Sequence, residues 1–221
     1  IKISSVSLHF IITNCTLKDA SFFPDPGWPG YGRAIELSNS SNGTIRGNRI
    51  NRNFYGILID GCTSIRITGN WVNNNLWDGI LTTGSSILID NNSVHNNGGA
   101  GIGAYNAVDL RIENNIIRDC DPGFEVKTCD RSFISGNSVS GDNLGLGVYL
   151  VTSTDFNFKD NEIDGARIGM FIYGSENLDI SGNFIHDCID PMDIEKIKNS
   201  TIRGNFIYGN SEPFSITYQS S

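Results

Sequence analysis

The sequence lacks an excess of basic residues, a long apolar run and a pair of histidines at metal-ligand spacing. Its 16 Lys and Arg stand against 24 Asp and Glu, which gives a net charge of −8. This balance argues against a nucleic-acid partner, because phosphate binding needs a basic face. No apolar run approaches the about 18 residues of a membrane span. With three His and two Met, the chain also offers poor ligands for copper or zinc.

What the sequence does contain is one phrase repeated with a period of about 22 residues. The stretch "ISGNFIHDC" at 180–188 is followed by "IRGNFIYGN" at 202–210. A second phrase, a small residue followed by apolar-x-apolar, precedes most copies at a fixed distance and is shifted by one residue at Gly79. The Asn of the first phrase recurs at Asn48, Asn70, Asn92, Asn115, Asn137, Asn161, Asn183 and Asn205.

Such self-similarity indicates an array in which each unit buries its apolar face against the next. A leucine-rich repeat is one option, because "SIRITGNWV" matches its core phrase. The other half of that repeat, however, is a helix or 3₁₀ turn with further Leu. In this sequence the corresponding half has aliphatic residues at every second position and is flanked by Asn, Gly and Asp, which is typical of a strand. The sequence therefore predicts an all-β fold, a single-stranded right-handed parallel β-helix (a solenoid) of about nine coils with three short strands each.

The recurring Asn is predicted to lie in a tight turn, where Asn tolerates a left-handed backbone. Stacked from coil to coil, these side chains would hydrogen-bond along the axis as a ladder. Residues 1–221 are predicted to form one domain without a linker. Since Ile1 already lies within a strand-like pattern, we expect this domain to be part of a longer chain.

Four of the five cysteines follow the repeat and are predicted to be packed free thiols. Cys62 and Cys129 share one inward column three coils apart, and Cys120 and Cys188 share another. Three coils correspond to about 14 Å, which is too far for a disulfide. The sequence leaves open whether Cys15 is free or paired.

The stretch "NRINRNFYGILIDGCTSIRITGNWV" resembles the parallel β-helix repeat of the carbohydrate-binding and sugar-hydrolase family. That family includes polysaccharide lyases, alginate epimerases, phage tailspikes, surface-layer proteins and proteins of nitrous-oxide-reductase maturation. The resemblance implies a polysaccharide partner and an extracellular, cell-surface or periplasmic location. In enzymes of this fold, the substrate lies over the outer face of the strand after the variable turn, so we expect the site there.

That outer face is predicted to carry many aromatic side chains, since strand residues alternate between faces. Rings beside polar groups suit the apolar faces of sugars. The alternative is a structural surface-layer, fibre or tailspike rod, whose rings pack against other copies or adjacent domains. The candidate substrate-binding residues are Trp28, Tyr31, Tyr55, Trp77, Tyr105, Tyr149, Phe171 and Tyr173.

The candidate catalytic residues are Asp121, Glu125 and Lys127 of "DPGFEVK", with Tyr105 one coil below. A carboxylate, a Lys and a Tyr could neutralise a uronate and abstract its C5 proton, which is the lyase and epimerase reaction. Glu125 and Lys127 also fit a surface ion pair. The phrase "CDPGFE" resembles the Asp-Pro-His motif of alginate epimerases, but Gly123 replaces the His. The sequence leaves open whether the protein is a lyase, an epimerase, a glycoside hydrolase or no enzyme.

An acidic cluster near the end of the chain offers oxygen ligands of the kind that Ca²⁺ prefers. Its candidate ligands are Asp190, Asp193 and Glu195. The alternative is a solvated acidic edge. No cofactor is required by this interpretation.

Overall fold

A computed structural model describes residues 1–20, 32–142 and 144–217 of the chain. These residues form short strands joined by turns, and each full coil contributes one strand to each of three parallel sheets. The predicted parallel β-helix is confirmed, and sheets of nine and ten strands agree with about nine coils. Among the residues described, no helix has the length and apolarity needed to cross a membrane.

The strands are numbered β1 to β28 in chain order. Sheet A contains β1 (Lys2–Ser4), β4 (Arg33–Ser38), β7 (Tyr55–Thr63), β10 (Ile80–Ser85), β13 (Ile102–Val108), β16 (Phe124–Lys127), β19 (Leu146–Val151), β22 (Ile168–Tyr173), β25 (Asp190–Glu195) and β28 (Ser215–Thr217). Sheet B contains β2 (Phe10–Thr13), β5 (Gly43–Arg46), β8 (Arg66–Thr68), β11 (Leu88–Asp90), β14 (Arg111–Glu113), β17 (Phe133–Ser135), β20 (Asn157–Lys159), β23 (Asp179–Ser181) and β26 (Thr201–Arg203). Sheet C contains β3 (Thr16–Lys18), β6 (Arg49–Asn51), β9 (Trp71–Asn73), β12 (Ser93–His95), β15 (Ile116–Arg118), β18 (Ser138–Ser140), β21 (Glu162–Asp164), β24 (Phe184–His186) and β27 (Phe206–Tyr208).

The register of sheet A aligns equivalent repeat positions in columns along the axis. Glu125 pairs with Tyr149, and Tyr149 pairs with Phe171. Tyr105 pairs with Lys127 in the neighbouring column. The residues that alternate with these along each strand point inward and are buried with the aliphatic side chains of sheets B and C. The two predicted outward columns, one through Glu125 and Tyr149 and the other through Tyr105 and Lys127, are therefore confirmed, and they bring chemistry-bearing side chains from different coils together.

The predicted Asn ladder is present and buried. The Nδ2 amide of Asn115 donates to Asn137 Oδ1 at 2.9 Å, to the carbonyl of Ile89 at 2.9 Å and to that of Glu113 at 3.0 Å. Its Oδ1 accepts from the backbone N–H and the side-chain amide of Asn92. Each Asn thus satisfies buried backbone groups that a turn leaves without partners.

The prediction that these Asn adopt a left-handed backbone is wrong. Positive φ falls on the residue before each ladder Asn, as at Gly47 (62°), Asn91 (53°) and Asp160 (53°). The preceding residue makes the bend, while the Asn turns its side chain inward and leads into the next strand. Gly, Asn and Asp suit the bend because a positive φ costs them less free energy than it costs other residues.

A second ladder, which the sequence analysis missed, lies five residues after the first. Asn53 donates to Asn75 Oδ1 at 3.1 Å, and Asn75 donates to Asn97 Oδ1 at 2.9 Å. The series continues at Cys120, whose Sγ accepts from the Asn97 N–H at 3.5 Å. The recurrence of Asn at this spacing in three successive repeats was the signal for it.

All five cysteines are free, and Cys62, Cys120, Cys129 and Cys188 are buried, as predicted. Cys15 is half-buried. Its backbone N–H donates to the Oδ1 of a ladder Asn at 2.9 Å. Cys15 therefore occupies the ladder column in the first coil, which accounts for a lone thiol at this position.

Candidate functional site

The outer face of sheet A carries a compact group of four side chains, which we call the central cluster: Tyr105, Glu125, Lys127 and Tyr149. The Tyr105 hydroxyl donates to Glu125 Oε2 at 2.5 Å, and the Lys127 ammonium forms an ion pair with Glu125 Oε1. Lys127 Nζ lies 5.4 Å from the ring centroid of Tyr105 and 5.2 Å from that of Tyr149. Strands β13, β16 and β19 position these groups by pairing in register.

Beside the central cluster lies a shallow depression of about 400 Å³ lined by Tyr105, Asn106, Lys127 and Thr128. The Lys127 side chain is 40% exposed and the Glu125 side chain is 20% exposed. A ligand on this face would therefore meet the half-buried rings and the ammonium group, whereas most of the Glu125 carboxylate is covered.

Aromatic side chains extend this face along the axis. The rings of Tyr149 and Phe171 stack with centroids 5.5 Å apart and planes 11° apart. Tyr173 lies on the same strand as Phe171. Lys196, which follows the next strand of the sheet, donates from Nζ to the Tyr173 hydroxyl at 2.6 Å and lies 4.7 Å from the Tyr173 ring centroid. These half-buried rings form an apolar strip over neighbouring coils.

Two of the remaining predicted rings lie on the side of the strip where the chain enters sheet A. Tyr55 is the first residue of β7, and Trp77 precedes β10 in the turn of the next coil. Trp77 is 50% exposed and stacks on Phe54 with centroids 6.1 Å apart. Trp28 and Tyr31 lie outside the described residues, so their part in the site stays a prediction.

Three of the four candidate catalytic residues are brought together in the central cluster. The fourth, Asp121, accepts a hydrogen bond from the Leu146 N–H at 2.9 Å in the next coil. Burial, together with the hydrogen bond to Glu125 and the charge of that carboxylate, raises the pKa of Tyr105 far above its ordinary value. Tyr105 is thus held as a neutral phenol, which disfavours it as the base in proton abstraction.

Asp78 is a buried carboxyl group near the central cluster that the sequence analysis did not single out. Its side chain is 4% exposed, and its Oδ1 accepts from the Ala100 N–H at 2.8 Å. Burial raises the pKa of Asp78 to about 6 against the opposing effect of that hydrogen bond, and the charge of Glu125 raises it further. The sequence did mark this position: an Asp stands immediately before Gly79, whereas the equivalent positions of the two neighbouring coils hold Tyr55 and Ala100.

The raised pKa of Asp78 implies that the free energy of unfolding depends on pH. Because the folded pKa of about 6 exceeds the ordinary value of 3.8, the stability linked to Asp78 is complete below about pH 4 and is lost as the pH rises through 6. Asp78→Asn keeps an acceptor for Ala100 without this loss. We expect it to increase the free energy of unfolding by about 2 to 3 kcal/mol at pH 7.5, with little gain at pH 4.

Urea unfolding between pH 4 and 8 measures this difference. The control is Asp142→Asn, which removes an exposed carboxylate from a nearby turn. An equal effect of Asp78→Asn at both ends of the pH range would show that the buried carboxyl is not the titrating group.

The predicted calcium ligands lie on the last full strand of sheet A. Burial and the charge of Asp193 raise the pKa of Asp190 above its ordinary value. Among the described residues, the group of three whose ligand atoms lie within 4.8 Å of one another is instead Asp164, His186 and Asp187. It shares no residue with the predicted set, and the Ca²⁺ site at that set stays a prediction.

A family model for the right-handed beta helix region matches residues 1–117, 56–189 and 146–221, which together span the chain. A search of curated protein sequences found no match.

Solved structures share the fold at low sequence identity. PfbA, a surface adhesin of Streptococcus pneumoniae, superposes with a TM-score of 0.77 at 16% identity over 95% of this chain and 61% of the adhesin. DFA-IIIase of Arthrobacter chlorophenolicus A6 gives 0.60 at 13% identity over 75% of this chain and 44% of the enzyme. The A-module of the mannuronan C-5 epimerase AlgE4 of Azotobacter vinelandii gives 0.64 at 13% identity over 98% of this chain and 76% of the module. The chain spans less than two thirds of the first two proteins.

Proposed function

We propose that this chain, which belongs to the right-handed beta helix region family, binds a polysaccharide along the outer face of sheet A. The observation that carries this proposal is the strip of half-buried rings at Tyr105, Tyr149, Phe171 and Tyr173, set among groups able to form hydrogen bonds. Apolar surface with a few placed polar groups is the usual composition of a carbohydrate site.

The parallel fold suits a polymer better than a small ligand. Successive coils rise by about 4.8 Å, so the strip offers similar contacts again and again along the axis. The Tyr149 and Phe171 centroids, 5.5 Å apart, follow this spacing. An extended glycan lying along the axis would therefore gain a contact from each coil, and several weak contacts would add up to useful affinity.

Binding is favoured over chemistry by the state of the central cluster. The Tyr105 hydroxyl and the Lys127 ammonium are both engaged by Glu125. Neither group is therefore poised to remove a proton from a sugar. The similar structures include both a surface adhesin and an epimerase module, and the adhesin supports placing this chain outside the cytoplasm.

The proposal is tested by a glycan array and soluble-polymer titrations on the purified chain, with the mass followed by light scattering. We expect a monomer that binds at least one polysaccharide. Trp71→Ala is the matched control, because Trp71 is 49% exposed but lies on sheet C. If Trp71→Ala abolished binding, the site would lie away from sheet A and the proposal would be overturned.

A structural rod is the second candidate, and exposed rings at the end of sheet C favour it. Phe184 stacks on Phe206 with centroids 5.1 Å apart, and His186 stacks on Tyr208 at 5.0 Å. Phe206 and Tyr208 are 61% and 53% exposed. A concentration-dependent rise in mass, with no binding to any polymer, would favour the rod over the polysaccharide site.

A further inference from the structure

We infer that the site on sheet A selects an uncharged polysaccharide over a polyuronate. The inference rests on the proposed function and names the substrate class of that same site. It follows from how the charges on and beside the strip of rings are distributed and paired.

The first observation is that the cation of the central cluster is already neutralised. Lys127 forms its ion pair with Glu125 within the cluster and lies against the rings of Tyr105 and Tyr149. A sugar carboxylate would have to compete with Glu125, which is fixed in place by the Tyr105 hydroxyl at 2.5 Å. Because Glu125 is held by two partners, exchanging it for an external carboxylate gains little.

The second observation is that the strands of this part of the face carry no other cation. Among the described residues of the two outward columns from β7 to β22, Lys127 is the single Lys or Arg. The same columns also carry Asp60, whose carboxylate accepts from the Thr83 hydroxyl at 3.0 Å. A polyanion lying along the strip would thus find no second cation on these strands, and the next one along the axis, Lys196, is held on the Tyr173 hydroxyl at 2.6 Å.

The third observation concerns the turns beside the strip, which are acidic. A depression of about 470 Å³ is lined by Asp119, Asp121 and Asp142, among other residues. The adjoining depression adds Asp164 together with one cation, Arg118. Three exposed carboxylates facing one groove would repel the regularly spaced charges of a polyuronate.

The same carboxylates favour an uncharged sugar. Ionised Asp accepts hydrogen bonds and does not donate them. Hydroxyl groups supply the donors that such carboxylates need, and bonds of this charge-assisted kind are the stronger ones. A uronate replaces a primary hydroxyl by another acceptor, so it loses a donor at the position where the protein offers acceptors.

The direct test compares polymers that share a backbone but differ in charge. Polygalacturonate is paired with its fully methyl-esterified form, and alginate is paired with carboxyl-reduced alginate, at low and at moderate salt. In each pair that binds, we expect the uncharged member to bind about tenfold more tightly at low salt, with a smaller difference at moderate salt, because salt screens the repulsion.

Glu125→Gln tests the role assigned to the ion pair. It frees Lys127 and removes one negative charge while leaving an acceptor near the Tyr105 hydroxyl. We expect the affinity for polygalacturonate to rise by about fivefold at low salt. Glu113→Gln is the matched control, because it frees an ion-paired Arg111 on sheet B and should leave that affinity unchanged.

The outcomes separate this inference from the proposed function. Tighter binding of the charged member, or weaker polygalacturonate binding by Glu125→Gln, overturns the charge selection while the polysaccharide site stands. Absence of binding to both members of every pair and to every uncharged polymer overturns the proposed function and the inference with it.

Discussion

Asn115→Ala is expected to lower the free energy of unfolding by about 3 to 5 kcal/mol, because one side chain satisfies buried groups from three successive coils. The substitution removes the donor to Asn137 Oδ1 and to the carbonyls of Ile89 and Glu113. It also leaves the Asn92 N–H without its acceptor and removes one acceptor from the Asn92 side-chain amide. Each such group left unpaired in the interior costs about 1 to 3 kcal/mol.

Denaturant unfolding followed by circular dichroism measures this loss. Asn73→Ala is the control, since Asn73 lies on β9 and points away from the interior. It should change the stability by less than about 0.5 kcal/mol. A loss below about 1 kcal/mol for Asn115→Ala would mean that the coils are held together by their aliphatic core and backbone ladders alone.

Tyr149→Ala is expected to weaken polysaccharide binding by about 30-fold, and this is the largest effect predicted on the proposed site. The ring stacks on Phe171 and faces the Lys127 ammonium. Its removal interrupts the strip at the centre and takes away an apolar contact of about 2 kcal/mol. Isothermal titration with the best polymer from the screen measures the change.

Tyr149→Phe is the matched variant, because it keeps the ring and removes only the hydroxyl. We expect its affinity to stay within about threefold of the parent. Full affinity in Tyr149→Ala, with the fold intact, would show that the strip of rings is not part of the binding site. Equal losses in both variants would instead assign the effect to the hydroxyl group.

The architecture could be predicted from sequence because a solenoid makes its long-range contacts periodic. A residue and its partner in the next coil are separated by about one repeat, so columns of Ile and Asn in the sequence become columns in space. The pairing of Glu125 with Tyr149 and of Tyr105 with Lys127 followed from counting along such columns. In most folds this information is lost, because contacting segments have no fixed separation.

Details within a coil were less predictable. Asn in a turn suggests a left-handed backbone, but both the ladder position and the bend before it accept Asn, as Asn91 and Asn92 show. The buried state of Asp78 was also hidden, since an Asp beside a Gly is typical of an exposed turn. Its burial depends on how the next coil covers it through Ala100.

By itself, the sequence determined the repeat, the three strands of each coil, the outward columns and the free state of the buried thiols. It did so because each depends on spacing and on the alternation of side chains along a strand. Only the tertiary structure decided which charges are paired. Glu125 engages both Tyr105 and Lys127 because two neighbouring coils meet at this point, and that meeting, rather than the presence of a Lys, sets the charge that a ligand would encounter.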